Sequence, residues 1–149
     1  MVTVITNAES LSLNKTELSI EKGKTESLTA TVIPEDATNK NLVWSSSDTQ
    51  VASVDNDGTV TALKAGTATV TVSLEGNPDI HATCMVTVIA HAESISLNKT
   101  ELSIEKGKTE SLTATVIPED ATNKNLVWSS SDTQVASVGN DGTVTALKA

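Results

Sequence analysis

Hydrophobic and polar positions alternate along most of this chain, and no stretch sustains the 3.6-residue period of an amphipathic helix. Residues 10–13 put Leu11 and Leu13 on one side, and residues 17–21 do the same with Leu18 and Ile20. Asn14-Lys15-Thr16 bends the chain between them, and Lys22-Gly23-Lys24 turns it. Residues 27–33 read as one strand, with Leu28, Ala30 and Val32 on one face and Thr29, Thr31 and Ile33 on the other. Pro34 ends it, and a polar loop follows. Residues 42–46, carrying Trp44, and residues 50–54 read as two more strands. Asp55-Asn56-Asp57-Gly58 is a hairpin turn, because Asn and Gly accept positive φ at low cost. Residues 59–63, 67–74 and 80–89 complete the set, separated by turns at Lys64-Ala65-Gly66 and at 75–79. Ala68, Val70, Val72 and Leu74 share a face, as do Ile80, Ala82, Cys84, Val86 and Val88. Seven or eight short strands with closely spaced turns predict an all-β sandwich. Trp44, the one large aromatic in this stretch, is assigned to the core between the sheets, together with Val70, Val72, Cys84, Val86 and Val88.

The pattern then begins again. Residues 1–65 align with residues 85–149 at 61 of 65 positions, so the chain is a tandem repeat of 84 residues. The four differences are Thr6/Ala90, Asn7/His91, Leu11/Ile95 and Asp55/Gly139. The register assigns residues 1–7 to the last strand of a preceding repeat and 8–91 to a complete domain. Residues 92–149 are then a truncated second domain lacking its final two strands, with Trp128 as its core tryptophan. On this reading the chain is a window on a longer array, Met1 is native sequence, and near-identity reflects recent duplication. A sandwich with an open edge is not expected to be well ordered alone. Residues 66–90 are expected to close the first domain, or to precede and complete residues 92–149 as a circular permutant, with strand exchange between copies as the consequence.

The run SLNKTELSIEKGKTESLTATVIPEDATNKNLVWSSSDTQVASVDNDGTVTALKAGTATVTV, followed by HATCMVTV, resembles the bacterial immunoglobulin-like group 2 domain. The resemblance spans the whole repeat. It is carried by Gly23, Pro34, Trp44-Ser45-Ser46-Ser47, Val51-Ala52, Gly58-Thr59-Val60-Thr61-Ala62 and Gly66-Thr67-Ala68. It implies an immunoglobulin-like β-sandwich of the kind found in intimin- and invasin-like adhesins, repetitive cell-wall proteins, extracellular glycosidases and phage virion proteins. The implied setting is extracellular, on a bacterial cell or phage virion surface.

Composition narrows the functions. The net charge is −9 and all ten basic residues are lysine, which disfavours nucleic acid and anionic membranes. No apolar run approaches the ~18 residues of a membrane span, and the first residues lack the pattern of a signal peptide. The single Cys84 cannot form a disulfide within the chain. His81 and His91 flank the last strand of the repeat, but no nucleophile–base–orienter set is visible, so neither catalytic residues nor a cofactor are expected. Asp55, Asp57 and the second repeat's Asp141 are weak calcium candidates. Their loop lacks the remaining ligand spacing and the distal Glu, and Gly139 removes one ligand in the second repeat. Glu9, Asp79 and Glu93 are further carboxylates near the junctions. Asn14-Lys15-Thr16 and Asn98-Lys99-Thr100 are formal glycosylation sequons expected to be unused, and no lysine falls on an inner face where an isopeptide staple would form.

A surface of Thr, Ser, Lys, Asp, Glu and Asn, without Arg, Tyr or Phe, lacks the residues that dominate binding hot spots and sugar platforms. The expected function is therefore a non-catalytic spacer that forms a rod of tandem domains, whose partners are neighbouring repeats. The alternatives are adhesion to a host or cell-surface ligand and an accessory domain of an extracellular hydrolase.

Overall fold

The computed structural model describes Met1–Ala149 and contains strands but no helix. It divides into two compact units, Met1–Ala90 and His91–Ala149. Unit 1 has nine strands: β1 (Ser10–Leu13), β2 (Glu17–Glu21), β3 (Thr25–Ser27), β4 (Ala30–Ile33), β5 (Leu42–Ser46), β6 (Ala52–Val54), β7 (Thr59–Ala62), β8 (Gly66–Leu74) and β9 (Asn77–Ile89). They form a four-stranded sheet in the order β2-β9-β8-β5, a three-stranded sheet β3-β7-β6 and a two-stranded ribbon β1-β4. All pairings are antiparallel except β2 with β9, which runs parallel from Glu17 opposite Met85 to Glu21 opposite Ile89. Inward side chains of β2, β6, β7, β8 and β9, with Leu28 and Val51, make one core. This is the all-β sandwich that the alternation predicts, with the immunoglobulin-like architecture that the resemblance implies.

Two expected strands are interrupted. Residues 27–33 are not one strand, because Leu28 turns into the core and the chain passes from the β7 sheet to the β1 ribbon. Residues 14–16 make the matching switch between β1 and β2. Asn14 joins the two breaks: its backbone N–H donates to the Thr29 carbonyl (3.0 Å), and its Oδ1 accepts the Thr29 N–H (2.8 Å). The sequon asparagine thus closes an exposed backbone gap. Three boundaries also move. β6 begins at Ala52 because Asp48 holds the preceding residues in a turn, its Oδ1 accepting the Gln50 N–H at 2.9 Å. The β8–β9 turn contracts to residues 75–76, so Asn77, Pro78 and Asp79 start β9. Gly66 is the first residue of β8, not the last of a turn.

Trp44 is half-buried, not enclosed between the sheets. It lies on β5, the edge of its sheet, and packs against the core from one side. Val70, Val72, Cys84 and Val86 are 0% exposed and Val88 is 1%. The Trp44 ring covers Gly58, whose φ is +84° and whose carbonyl accepts the Leu28 N–H at 2.9 Å. A Cβ at Gly58 would overlap the Leu28 carbonyl oxygen and lie 2.9 Å from the ring.

Unit 2 keeps only part of this plan. β10 (Ser94–Leu97) pairs with β12 (Ala114–Ile117), and β11 (Thr109–Ser111), β14 (Thr143–Ala146) and β13 (Ala136–Val138) form a three-stranded sheet. The sequence anticipates the loss of two strands, yet four are missing. Residues 101–105 and 126–130 copy β2 and β5 but form no strand, because β2 and β5 pair only with β9 and β8, which have no counterpart after β14.

These features predict unequal costs at two turn glycines. Gly58→Ala combines left-handed backbone strain with a clash and is expected to destabilise unit 1 by about 3 kcal/mol. Gly23→Ala, at φ +86° with open space around it, should cost only about 1 kcal/mol. Urea unfolding of the two variants checks the ranking.

Candidate functional site

Residues with chemical potential do not converge. Cys84 points inward from β9, while His81, three residues earlier, is exposed with its ring Nδ1 3.1 Å from the Asp79 carbonyl. Burial holds the Cys84 thiol above its ordinary pKa. His91 is exposed at the start of unit 2. In the calcium-candidate loop, Asp57 Oδ1 accepts the Thr59 N–H at 3.1 Å, which holds the carboxyl below its usual pKa. Asp141 does the same with Thr143 at 3.0 Å. Asp55 contributes through its backbone, and Gly139 makes the same two backbone bonds in unit 2, so the Asp55 side chain is dispensable to the turn. No group of three His, Cys, Asp or Glu side chains is arranged to hold a metal ion. Glu9 and Glu93 each donate a backbone N–H to the carbonyl of Ile33 and Ile117 respectively.

Two other features stand out. The first is the polarity of unit 1. Before β1 the chain is held by Thr38, which donates its N–H to the Thr6 carbonyl (2.8 Å) and accepts the Thr6 N–H on Oγ1 (2.9 Å). Residues 5–8 there line a cleft of about 600 Å³ with Thr38, Asn39 and residues 74–77, beside the β8–β9 turn. β9 then runs its 13 residues away from that turn and ends at Ile89, whose carbonyl accepts the Lys22 N–H. At ~3.3 Å per residue these poles are ~40 Å apart. The chain therefore enters and leaves the sandwich at opposite ends.

In this structure residues 66–89 close unit 1, with β9 beside β2 and β8 beside β5.

The second feature is an open face in unit 2. Val51 is 8% exposed but its copy Val135 is 43%. Leu102, Ile104, Leu112, Val144 and Ala146 are half-buried, whereas their unit 1 copies are buried. Trp128 lines a cleft of about 360 Å³ with Leu97, Leu112, Ala136, Val138 and Val144. The identical residues of unit 1 are covered there by β8 and β9, whose Ala68, Val70, Val72, Leu74, Cys84, Val86 and Val88 all point inward. The alternation of the sequence marks both sets of side chains, but only comparison of the two copies reveals the open face.

The chain matches the bacterial Ig-like domain (group 2) over residues 7–83 and again over 91–149. It belongs to that family. An uncharacterized protein of Clostridium acetobutylicum is 41% identical over 141 residues, which is 95% of this chain and 15% of that protein. An Ig-like virion protein of Serratia phage KSP90 is 31% identical over 119 residues, 78% of this chain and 46% of that protein. An alpha-L-arabinofuranosidase of Bifidobacterium longum is 62% identical over 56 residues, 38% of this chain and 5% of the enzyme. The Ig-like chain thus spans less than half the length of each of these relatives.

Two measurements follow from this geometry. Amide exchange at residues 101–105 and 126–130 is expected to be at least ~100-fold faster than at β2 and β5, despite identical local sequence; peptide-resolved deuterium uptake reads this directly. The buried Cys84 thiol keeps a proton that the unfolded chain releases near its ordinary value of 9.0. Its contribution to stability is therefore complete below that value and declines as pH rises towards the folded value. The stability advantage of wild type over Cys84→Ala should narrow between about pH 8 and pH 10 in denaturant titrations.

Proposed function

We propose that this Ig-like chain is a non-catalytic spacer, a segment of an extracellular rod that holds another module away from a cell or virion surface. The observation that carries this reading is the opposite placement of the two poles of unit 1. A fold that receives the chain at one end and releases it at the other adds its long axis to an array, and the four residues between β9 and β10 leave little slack. Duplication then lengthens the rod without redesign. The virion protein among the relatives supports a surface setting. The scattered histidines, the inward thiol and the turn-bound carboxylates support a role without chemistry. Adhesion is the weaker reading, because both tryptophans pack towards cores or clefts and the remaining surface has no aromatic residue or arginine.

The 62% identity to a segment of an arabinofuranosidase favours a second reading, in which repeats of this type separate a catalytic domain from its anchor or substrate. That role uses the same mechanical property.

The spacer reading predicts an increment of length. In arrays of one, two and four copies of the 84-residue repeat, the maximum dimension from small-angle X-ray scattering should grow by about 40 Å per copy. Growth below ~20 Å per copy would mean folded-back units and would reject the rod.

A further inference from the structure

The path of the chain through unit 1 sets one strand pair directly against tension. β2 and β9 lie side by side and run parallel, from Glu17 opposite Met85 to Glu21 opposite Ile89. On the entry side the chain passes residues 5–8, beside the β8–β9 turn, then β1, and reaches β2 at its N-terminal end. On the exit side it leaves from the C-terminal end of β9, at the far pole. A pull on the two flanks draws β2 towards the turn pole and β9 towards the far pole. The two strands are driven past each other along their own axes, in shear.

A parallel ladder carries evenly spaced bonds. This one begins with the Met85 N–H donating to the Thr16 carbonyl (2.9 Å) and closes with the Lys22 N–H donating to the Ile89 carbonyl (2.8 Å). Bonds that lie across the direction of pull share the tension and must give way together. Peeled from one end, the same bonds give way one at a time. The inner faces add resistance, because Leu18 and Ile20 are each 5% exposed and Val86 and Val88 are 0% and 1% exposed. A slip of one residue would turn these side chains out of the core. β1 offers less. It belongs to a two-stranded ribbon, its Leu11 and Leu13 are only half-buried, and its release leaves the main core closed.

Resting on the spacer reading, in which tension arrives through both flanks, we propose that the repeat is a tension-bearing module and that the β2–β9 pair is its mechanical clamp. Resistance to force is set by the unfolding barrier along the direction of pull, not by equilibrium stability. The clamp is thereby separable from the rest of the core. Val54 packs against the same core, but from β6, in the other sheet and outside the pair.

Single-molecule pulling on the full 149-residue chain tests this, with handles on introduced cysteines while the native Cys84 stays buried. Handles at Asn7→Cys and His91→Cys, both exposed positions, load the pair in shear. Handles at the exposed Lys22→Cys and at His91→Cys pull the same fold from the ends of β2 and β9 that lie together, and peel the ladder from the Lys22–Ile89 bond. At equal loading rate the shear geometry should need at least about twice the force. Complete unfolding there should lengthen the chain by about 260 Å. Scaled to equal losses of stability in urea, Ile20→Ala should lower the shear force and Val54→Ala should leave it unchanged. Equal forces in the two geometries would overturn the clamp, and this comparison needs no core variant to fold. Equal scaled effects of Ile20→Ala and Val54→Ala would overturn it as well. Both readouts concern one repeat, so a folded-back array in scattering and a weak clamp under force are separate failures.

Discussion

The β8–β9 hairpin is the element on which the rest of each sandwich depends. It supplies two things at once: an inner face of alternating Ala, Val, Leu and Cys, and two backbone edges, one for β2 and one for β5. Burying Val70, Val72, Leu74, Val86 and Val88 contributes roughly 8–15 kcal/mol before entropy is counted. That is the scale of a whole domain's stability. The two edges matter as much, because a strand without a partner leaves a row of N–H and C=O groups unpaired. β2 and β5 do not pair with any strand of their own sheet except those of the hairpin.

Unit 2 acts as a deletion experiment within one chain. Its local sequence is nearly that of unit 1, so propensity and alternation are held constant. The strands that survive, β10 to β14, are those whose partners lie within residues 91–149. The β10–β12 ribbon, the Asp141–Thr143 turn and the Asn98–Thr113 bridge are all retained. The retained pairings include long-range ones, such as β11 with β14, so sequence separation does not decide which strands form. The strands that vanish are the copies of β2 and β5, whose partners in unit 1 are β9 and β8. Strand formation here is a property of pairing, with the pleated pattern as a precondition.

The same distinction explains what could be read from the residues alone. Long alternations, such as 67–74 and 80–89, specified strand, face and core in advance, because a period of two leaves no ambiguity about which side chains turn inward. The run 27–33 misled, because a strand that changes sheets keeps its alternation through the break. Only the Asn14–Thr29 bonds reveal that Leu28 belongs to one layer and Val32 to another. Trp44 misled for a different reason: size marks a residue for the core, but the edge position of β5 is a fact of topology. The open face of unit 2 was legible as missing strands, yet not as the unzipping of two further segments, since that follows from which strands touch.

Polarity links the fold of one repeat to its use in a series. In unit 1 the chain enters beside the β8–β9 turn and leaves from the far end of β9. The hairpin that completes the core is therefore also the element that carries the chain from one pole to the other, so the residues that stabilise the repeat are those that set its length. The four positions at which the copies differ, 6/90, 7/91, 11/95 and 55/139, all lie outside the β2–β9 pairing. Duplication has thus left the strand pair that closes the sandwich unchanged.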